Sequence, residues 1–419
     1  MKKKVVIISG FQPINNPRAV KEAELLAANG YNVEILGSIM DQNSKSLIVQ
    51  LQEGKGWKHV PVCDATDKRL LARVRHFYYH AARKFSTSLY TQFGILLPSQ
   101  LGAYTRPLLR LAKRRRADLY IVHLEMGLWV GYKLLQQGHK VAADFEDWYS
   151  EDGLPADRKQ RPIALMKRYE RYLLNHCCYT LTTSAALANG LAREYECKQP
   201  QILFNSFNHG DLASTDNQLR DRQDSKLPSL FWFSQTVGPG RGLEVLFAAL
   251  SYIDIPFEIH IRGRITSQAF KDQLLDLSYS PHTDLIYFHD LVPQAALLSR
   301  LVEHDIGFSG ELSDCKSRDN TITNKAMEYV RAGLLIVASD TKGHLELSRK
   351  KGLSLAIYRQ DDPKDLAAKL SSLVTQVKQR IDSKEVYRLS QPYRKENVDA
   401  YSWEENSQII LANVSRVLS

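Results

Sequence analysis

Two stretches of this 419-residue chain combine glycine, hydroxyl and base in the way an anion site requires. The first is Ser234-Gln-Thr-Val-Gly238-Pro-Gly240-Arg241-Gly242-Leu-Glu, which runs into a helix. Its glycines let backbone N–H groups approach a phosphate, and the helix N-terminus adds partial positive charge. Arg241 offers a planar fork for a diphosphate. The plain alternative is a tight strand–helix turn. The second stretch is Asn320-Thr321-Ile322-Thr323-Asn324-Lys325-Ala-Met-Glu328-Tyr-Val-Arg-Ala-Gly333. Thr323 or Asn324 caps a helix there, with its free N–H groups turned toward a ligand. Lys325 would add charge beside a phosphate. Glu328, a turn further on, would accept two hydrogen bonds from a ribose diol, the alternative being a solvated helix residue.

Acid–base chemistry has a different candidate. His123 follows an expected strand at 119–122, and Asp144-Phe-Glu146-Asp147 follows one at 141–143. A histidine and three carboxylates at two strand ends could orient sugar hydroxyls or move protons. His123 alone reads equally well as a capped structural histidine. The acidic trio repels itself unless something cationic or hydroxylic binds it. Gly-x-Gly-x-x-Gly and Gly-x4-Gly-Lys-Ser/Thr are both missing, which argues against a nicotinamide dehydrogenase and a P-loop nucleotidase. No His-Glu-x-x-His or clustered His/Asp set points to a metal.

The elements that must hold these residues are legible. Apolar runs at 5–9, 33–36, 119–122, 141–143, 179–182 and 201–204 read as buried parallel strands. Asn16-Pro17 starts a helix that ends at Gly30, and further helices are expected at 128–137 and 185–195. A polar stretch at 214–229 reads as a linker. A second series follows, with strands at 230–234, 258–262, 285–288, 306–309, 335–339 and 355–357. Helices at 243–250, 268–277, 294–303, 324–331 and 363–379 separate them. Ser402-Trp-Glu-Glu405 is a capping box opening a helix whose face is Ile410, Val414 and Val417. The expected fold class is α/β, two doubly wound Rossmann-like domains facing across a cleft. The boundaries are 1–212, a linker 213–229, 230–395, and a closing helix 396–419. Ligands of such sheets bind at strand C-termini, so the cleft is the expected site.

Composition narrows the class further. With 44% hydrophobic and 24% charged residues the chain is globular, and its five cysteines, without Cys-x-x-Cys spacing, fit a reducing compartment. The opening apolar run is too short for a signal peptide, and no stretch approaches the roughly 20 apolar residues that span a bilayer. A cytoplasmic location follows, with any membrane contact peripheral. The net charge of +10 sits in one place: 68–117 holds twelve Lys/Arg and no Asp or Glu. The remainder carries 44 basic and 46 acidic groups. Aromatic residues interleave the basic ones, which suits an anionic lipid surface, a nucleic-acid backbone or a solvated helical face. Nucleic acid is the least expected. Arg73, Arg75, Arg83, Lys84, Arg114, Arg115 and Arg116 are the expected acceptor or membrane contacts.

These residues resemble the GT-B nucleotide-sugar-dependent glycosyltransferases, specifically the large retaining, family-four-like group typified by sucrose, lipopolysaccharide-core and mannosyl transferases. The resemblance covers nearly the whole chain. It rests on Asn16-Pro-Arg through Gly30-Tyr-Asn-Val, Asp118 to His123, Asp144 to Asp147, Thr183-Ser184 and Phe204-Asn205. It continues at Gly238 to Gly242, Arg262-Gly263, Asn324 to Gly333 and Ala338-Ser-Asp340. The Asn-Lys-x-x-Glu-Tyr-x-x-x-Gly block and the Ser-Trp-Glu helix are the most specific parts.

The resemblance implies a nucleoside diphosphate sugar held mainly by the second domain, through Gly238, Gly240, Arg241, Gly242, Arg262, Gly263, Thr321, Ile322, Asn324, Lys325 and Glu328. Arg241 matches the family's basic diphosphate position, Glu328 the second Glu of Glu-x7-Glu, and His123 a histidine near the transferred sugar. His123, Asp144, Glu146, Asp147 and Asn320 are together the candidate catalytic set. The leaving phosphate helps activate the acceptor, and neither metal nor cofactor is required. The partners expected are a nucleotide sugar and a glycan or lipid-linked acceptor, with an anionic membrane surface suggested by the basic segment 68–117. Two positions depart: Asn320 stands where the first Glu would fall, and Gln235 where an Arg is usual. They keep open two other readings, a nucleotide-sugar epimerase of the same fold and a non-catalytic nucleotide- or membrane-binding relative.

Overall fold

The computed structural model describes residues 2–153, 158–208, 215–224, 226–278, 282–350, 353, 355–383 and 401–419. The chain forms two compact units, Met1–Phe204 with Ser407–Ser419, and Asn205–Asn406.

The first unit carries seven strands in the order β3-β2-β1-β4-β5-β6-β7, every neighbouring pair parallel. They are β1 (Lys4–Ile8), β2 (Asn32–Ile39), β3 (Trp57–Asp64), β4 (Leu119–His123), β5 (Val141–Phe145), β6 (Thr180–Thr182) and β7 (Gln201–Ile202). Its helices are α1 (Pro17–Ala28), α2 (Gln42–Gln52), α3 (Leu70–Phe93), α4 (Thr105–Arg115), α5 (Leu124–Leu135), α6 (Ile163–His176) and α7 (Ala185–Tyr195). Strands such as Val5–Ile8 are apolar without alternation because helices cover both faces. The core gathers Ile8, Val122, Trp129, Phe145 and Leu173. Asn16 caps α1, its side chain accepting from Ala19 N at 3.0 Å, with Pro17 as the first helical residue. β3 and α2 have no counterpart in the sequence expectation. β3 is an edge strand interrupted by Lys58, His59 and Pro61, residues that an edge tolerates and that erase the buried-strand pattern.

The second unit carries six parallel strands in the order β10-β9-β8-β11-β12-β13. They are β8 (Ser229–Val237), β9 (Glu258–Ile265), β10 (Ile286–His289), β11 (Ile306–Ser309), β12 (Leu335–Ser339) and β13 (Leu355–Tyr358). Between them run α8 (Leu243–Leu250), α9 (Gln268–Leu277), α10 (Gln294–Leu301), α11 (Lys316–Asn320), α12 (Asn324–Ala332), α13 (Lys342–Ser348) and α14 (Pro363–Asp382). Trp232, Phe247, Ile259, Phe308 and Val337 lie in its core. The strand order turns between β1 and β4 in one sheet and between β8 and β11 in the other, which is where such sheets bind ligands.

Two expectations need correction. The stretch expected as a linker is strapped to the second unit where it is described. Arg222 is buried and donates to Glu258 Oε2 at 2.9 Å, Ser229 Oγ at 2.9 Å and Asp305 Oδ2 at 3.2 Å. Its charge reads as solvated in sequence because the partners are distant in the chain. Ser402 does cap, accepting from Glu405 N at 3.3 Å, but α15 (Trp403–Asn406) stops before α16 (Gln408–Leu418). The buried face of α16 is Ile410, Val414 and Leu418 rather than Val417. This helix belongs to the first unit, where Asn413 Nδ2 donates to Gln201 Oε1 at 2.6 Å. The expected boundary at 212/213 and the 384–400 part of the tail lie outside the described residues.

Candidate functional site

At the β1/β4 turn of the first sheet, α1 supplies two charges on its inward side, Arg18 and Glu22, both buried. Arg18 grips Asp144 of β5 in a bidentate pair, Nε to Oδ2 at 2.5 Å and Nη2 to Oδ1 at 3.0 Å. It also donates to Leu203 O at 2.7 Å. Asp144 is therefore held by Arg18, both of its oxygens engaged.

His123 ends β4 beside Asp144 in register. Its ring lies between two carboxylates, Nδ1 at 2.9 Å from Glu146 Oε1 and Nε2 at 2.9 Å from Glu22 Oε2. Burial works against the charged ring, but the two carboxylates prevail and lift its pKa to about 10. At neutral pH it is an imidazolium donating from both nitrogens. Burial also pushes the Glu22 carboxyl upward, against the pull of His123. Asn16 Nδ2 donates to Glu146 Oε1 at 3.1 Å, so the cap of α1 and the histidine share one acceptor.

Asp147 is the titrating member of the group. Burial, then repulsion from Asp152 and Glu146, raises its carboxyl to about 7, with Arg18 and Arg161 opposing. A carboxyl that titrates near neutrality is suited to general acid–base work. Leu124, the next residue after His123, adopts a left-handed φ of 60°, and its N–H donates to Tyr149 Oη at 3.2 Å. A non-glycine residue in that region is strained, and here the strain sits next to the His123 ring.

The second sheet builds its switch point from backbone. The loop after β8 places Gly240 at φ 76° and Gly242 at φ 74°. A Cβ on Gly242 would stand 2.1 Å from Gly310 O, so only glycine fits. Gly240 N donates to Glu244 Oε1 at 3.3 Å in the first turn of α8. Gly263, on neighbouring β9, is buried against the end of β8; a Cβ there would meet Ser234 O at 2.7 Å. Arg241 is half-buried, and its charge helps hold the Glu311 carboxyl down.

Thr323 caps α12, its Oγ1 accepting from Ala326 N at 3.2 Å. A chain of hydrogen bonds fixes that cap: Thr323 Oγ1 lies 3.0 Å from Ser309 Oγ, itself 3.0 Å from His344 Nε2. Burial drives His344 down to about 4, so it is neutral, Nδ1 donating to Ser339 O at 3.0 Å. The α12 N-terminus thus presents Asn324 and Lys325 from a rigid mount.

Several expected donor contacts are otherwise engaged. Lys325 is buried, paired with Glu311, and 5.9 Å from the Trp232 ring centroid. Its charge is largely neutralised by a carboxylate that the sequence did not flag. Arg262 is buried between Asp221 Oδ2, at 2.5 Å, and Asp290 O. It is a structural arginine, not a free diphosphate ligand. Asn320 Nδ2 folds back on Lys316 O at 2.7 Å and Thr321 Oγ1 on Ser317 O at 2.8 Å, while Ile322 is buried. Glu328 accepts from Arg331 Nη1 at 2.9 Å and stays partly exposed. Gly238 has room: a Cβ there would lie 3.2 Å from Thr266 Oγ1, its nearest neighbour.

In the basic segment, Arg73, Arg75, Arg83 and Lys84 are exposed on α3, and Arg114 and Arg116 are exposed at the end of α4. Arg115 is not available: its Nε donates to Glu34 Oε2 at 2.6 Å. No helix among the described residues is long and apolar enough to cross a membrane.

Sequence reasoning missed Arg18, Glu22, Glu311 and His344. The first two had a signal, an Arg and a Glu four residues apart on a helix whose neighbours Ala19, Val20 and Ala23 are all core. Glu311 and His344 had none, because their partners lie 14 and 35 residues away.

No family model and no curated protein matches the chain. Solved structures do. A glycosyltransferase from Rickettsia africae aligns over 100% of this chain and 99% of its own, with TM-score 0.64 and 12% identity. Sucrose-phosphate synthase from Thermosynechococcus elongatus aligns over 100% and 99%, with TM-score 0.64 and 15% identity. HepE from Anabaena, solved in complex with UDP and glucose, aligns over 99% and 100%, with TM-score 0.63 and 14% identity. The fold is GT-B. Both sheets of the GT-B chain therefore turn their strand order at the positions where His123 and Gly242 stand.

Proposed function

We propose that this GT-B chain is a glycosyltransferase that moves a sugar from a nucleoside diphosphate sugar to a glycan or lipid-linked acceptor. The observation that carries the reading is the backbone-built anion site of the second unit. Two left-handed glycines, a rigidly capped α12 and Arg241 lie at the C-terminal edge of β8 and β11. Such a site suits a diphosphate, whose charge is met by N–H groups and one guanidinium. Arg241 would bear more of that charge than the sequence alone suggests, since Lys325 and Arg262 are paired. Glu328 would hold the ribose diol. In the first unit, the His123 imidazolium would donate to a hydroxyl of the transferred sugar, and Asp147 would exchange the acceptor proton.

We assign a retaining, metal-independent reaction, in which the departing diphosphate helps deprotonate the acceptor. The protein would work in the cytoplasm, on the inner face of the cell membrane. Incubation with a panel of nucleotide sugars and lipid-linked acceptors, read by mass spectrometry, tests the reading. Uridine, guanosine or adenosine diphosphate should protect the protein from thermal unfolding, and Arg241→Ala should lose that protection. Protection by none of the three would overturn the proposal.

A further inference from the structure

α3 is 24 residues long, yet Ser86 is its one buried residue. What ties it down is polar and lies on one side. His76 Nδ1 is 2.6 Å and His80 Nε2 3.1 Å from Tyr104 Oη, and Gln100 Nε2 donates to Ser86 O at 2.8 Å. Tyr79 stacks edge-on against Tyr104 at 5.9 Å. The opposite side is apolar and faces outward. Leu70, Leu71, Val74, Phe77, Tyr78 and Phe85 are all exposed, Phe77 by 75% and Phe85 by 66%.

At about 3.6 residues per turn these six fall on one arc of roughly 120°. Arg73 and Lys84 border that arc on one side and Arg75 on the other, all exposed. No Asp or Glu occurs in the helix. The stripe runs for roughly 24 Å along the axis, at about 1.5 Å per residue. An exposed apolar stripe of this size needs an occupant. A protein partner would have to match rows of unopposed positive charge. A bilayer with anionic headgroups matches both features at once, taking the rings between headgroups while the flanking bases reach the phosphates.

We infer that α3 lies in the plane of an anionic membrane surface, with its Leu70–Phe85 face sunk into the headgroup region. This deepens the membrane part of the function proposed above and rests on it, although vesicle binding requires neither donor nor transfer. The full-length protein should co-sediment with phosphatidylglycerol-containing vesicles and much less with pure phosphatidylcholine. Phe77→Asp, at an exposed site, should leave the melting temperature unchanged and weaken partitioning about tenfold or more. Reversing Arg73, Arg75 and Lys84 together should weaken it by roughly fivefold per charge at low salt, a loss that salt erases. Phe77→Trp should show a blue-shifted emission on adding the anionic vesicles.

The inference fails if Phe77→Asp partitions like the unmodified protein, or if anionic vesicles leave the protein in solution. It fails as well if the protein self-associates without lipid and Phe77→Asp abolishes that association, which would make a second copy the occupant. Retained protection by a nucleoside diphosphate in either failure would sink the membrane inference alone. Vesicle binding without any nucleotide protection would do the reverse.

Discussion

The two switch points meet the same topological demand with opposite materials. In the first sheet the site is made of side chains that hold one another: Arg18 on Asp144, His123 between Glu22 and Glu146. In the second it is made of main chain, with Gly240, Gly242 and the α12 N-terminus. Its one buried lysine is cancelled by Glu311. A charge network fixes protonation states, because each member's pKa depends on its neighbours. A main-chain cradle keeps its partial positive charge at any pH and selects by shape. The first arrangement suits proton traffic, the second suits holding an anion.

Removing Arg18 tests the difference most severely. Arg18→Ala leaves the Asp144 carboxyl buried without its partner, a change that costs about 3–5 kcal/mol. Replacing both, Arg18→Met with Asp144→Leu, should recover most of that loss, because the pair's own net contribution is small. Urea unfolding followed by tryptophan fluorescence measures both. A loss below about 1 kcal/mol for the single variant would mean the charge network is not what holds this edge.

Proton dependence separates the two sites next. His123 has its pKa raised from 6.5 to about 10, so the folded state binds the extra proton. The stability it contributes is complete below about 6.5 and is lost as pH rises through about 10. His123→Gln should flatten the alkaline decline. Asp147 is also raised, from 3.8 to about 7, so its folded form likewise holds the proton longer. Stability falls as pH climbs through that window, and Asp147→Asn should remove the fall. If Asp147 serves as base, transfer rate rises near pH 7 and loses that limb in the Asn variant. Nucleotide binding should change with neither substitution; a pH-dependent diphosphate affinity that follows His123 would erase the distinction between the sites.

The second sheet was more open to sequence reading than the first, for a physical reason. Its central strands β11 and β12 are runs such as Leu335–Ser339, buried along their whole length. The loop glycines and the Thr323 cap are local features, readable over a few residues. The first unit's network joins Arg18 to Asp144 and Glu22 to His123, pairs whose members lie more than a hundred residues apart. α3 illustrates the other limit. Its basic and aromatic residues leave a lipid surface and a solvated face both open, and nothing along the chain tells that Tyr104 and Gln100 take its polar side.

Shape selection in the second sheet predicts a steep contrast between adjacent glycines. Gly242→Ala forces a side chain into a left-handed conformation and against Gly310 O, 2.1 Å from the new Cβ. The backbone term alone is about 1–3 kcal/mol, and the loop must retreat, so diphosphate affinity measured by calorimetry should drop about tenfold or more. Arg241→Ala should lower that affinity by a similar factor without altering stability, because a charge-assisted contact is worth about 1.5–3 kcal/mol.

Gly238→Ala should have the smallest effect. Gly238 is not among the glycines of positive φ, so alanine meets no conformational penalty there and restricts the unfolded chain. The one close atom is Thr266 Oγ1 at 3.2 Å, a side-chain end that donates to Val237 O at 2.9 Å and has to yield by a few tenths of an ångström. The two terms oppose each other, and the net change in stability should stay within about 1 kcal/mol. Diphosphate affinity then isolates the ligand's own demand for space. Unchanged binding means that the cradle closes at Gly240 and Gly242. A loss as large as that of Gly242→Ala would mean that the phosphate approaches the main chain at Gly238 itself, moving the anion toward the end of β8.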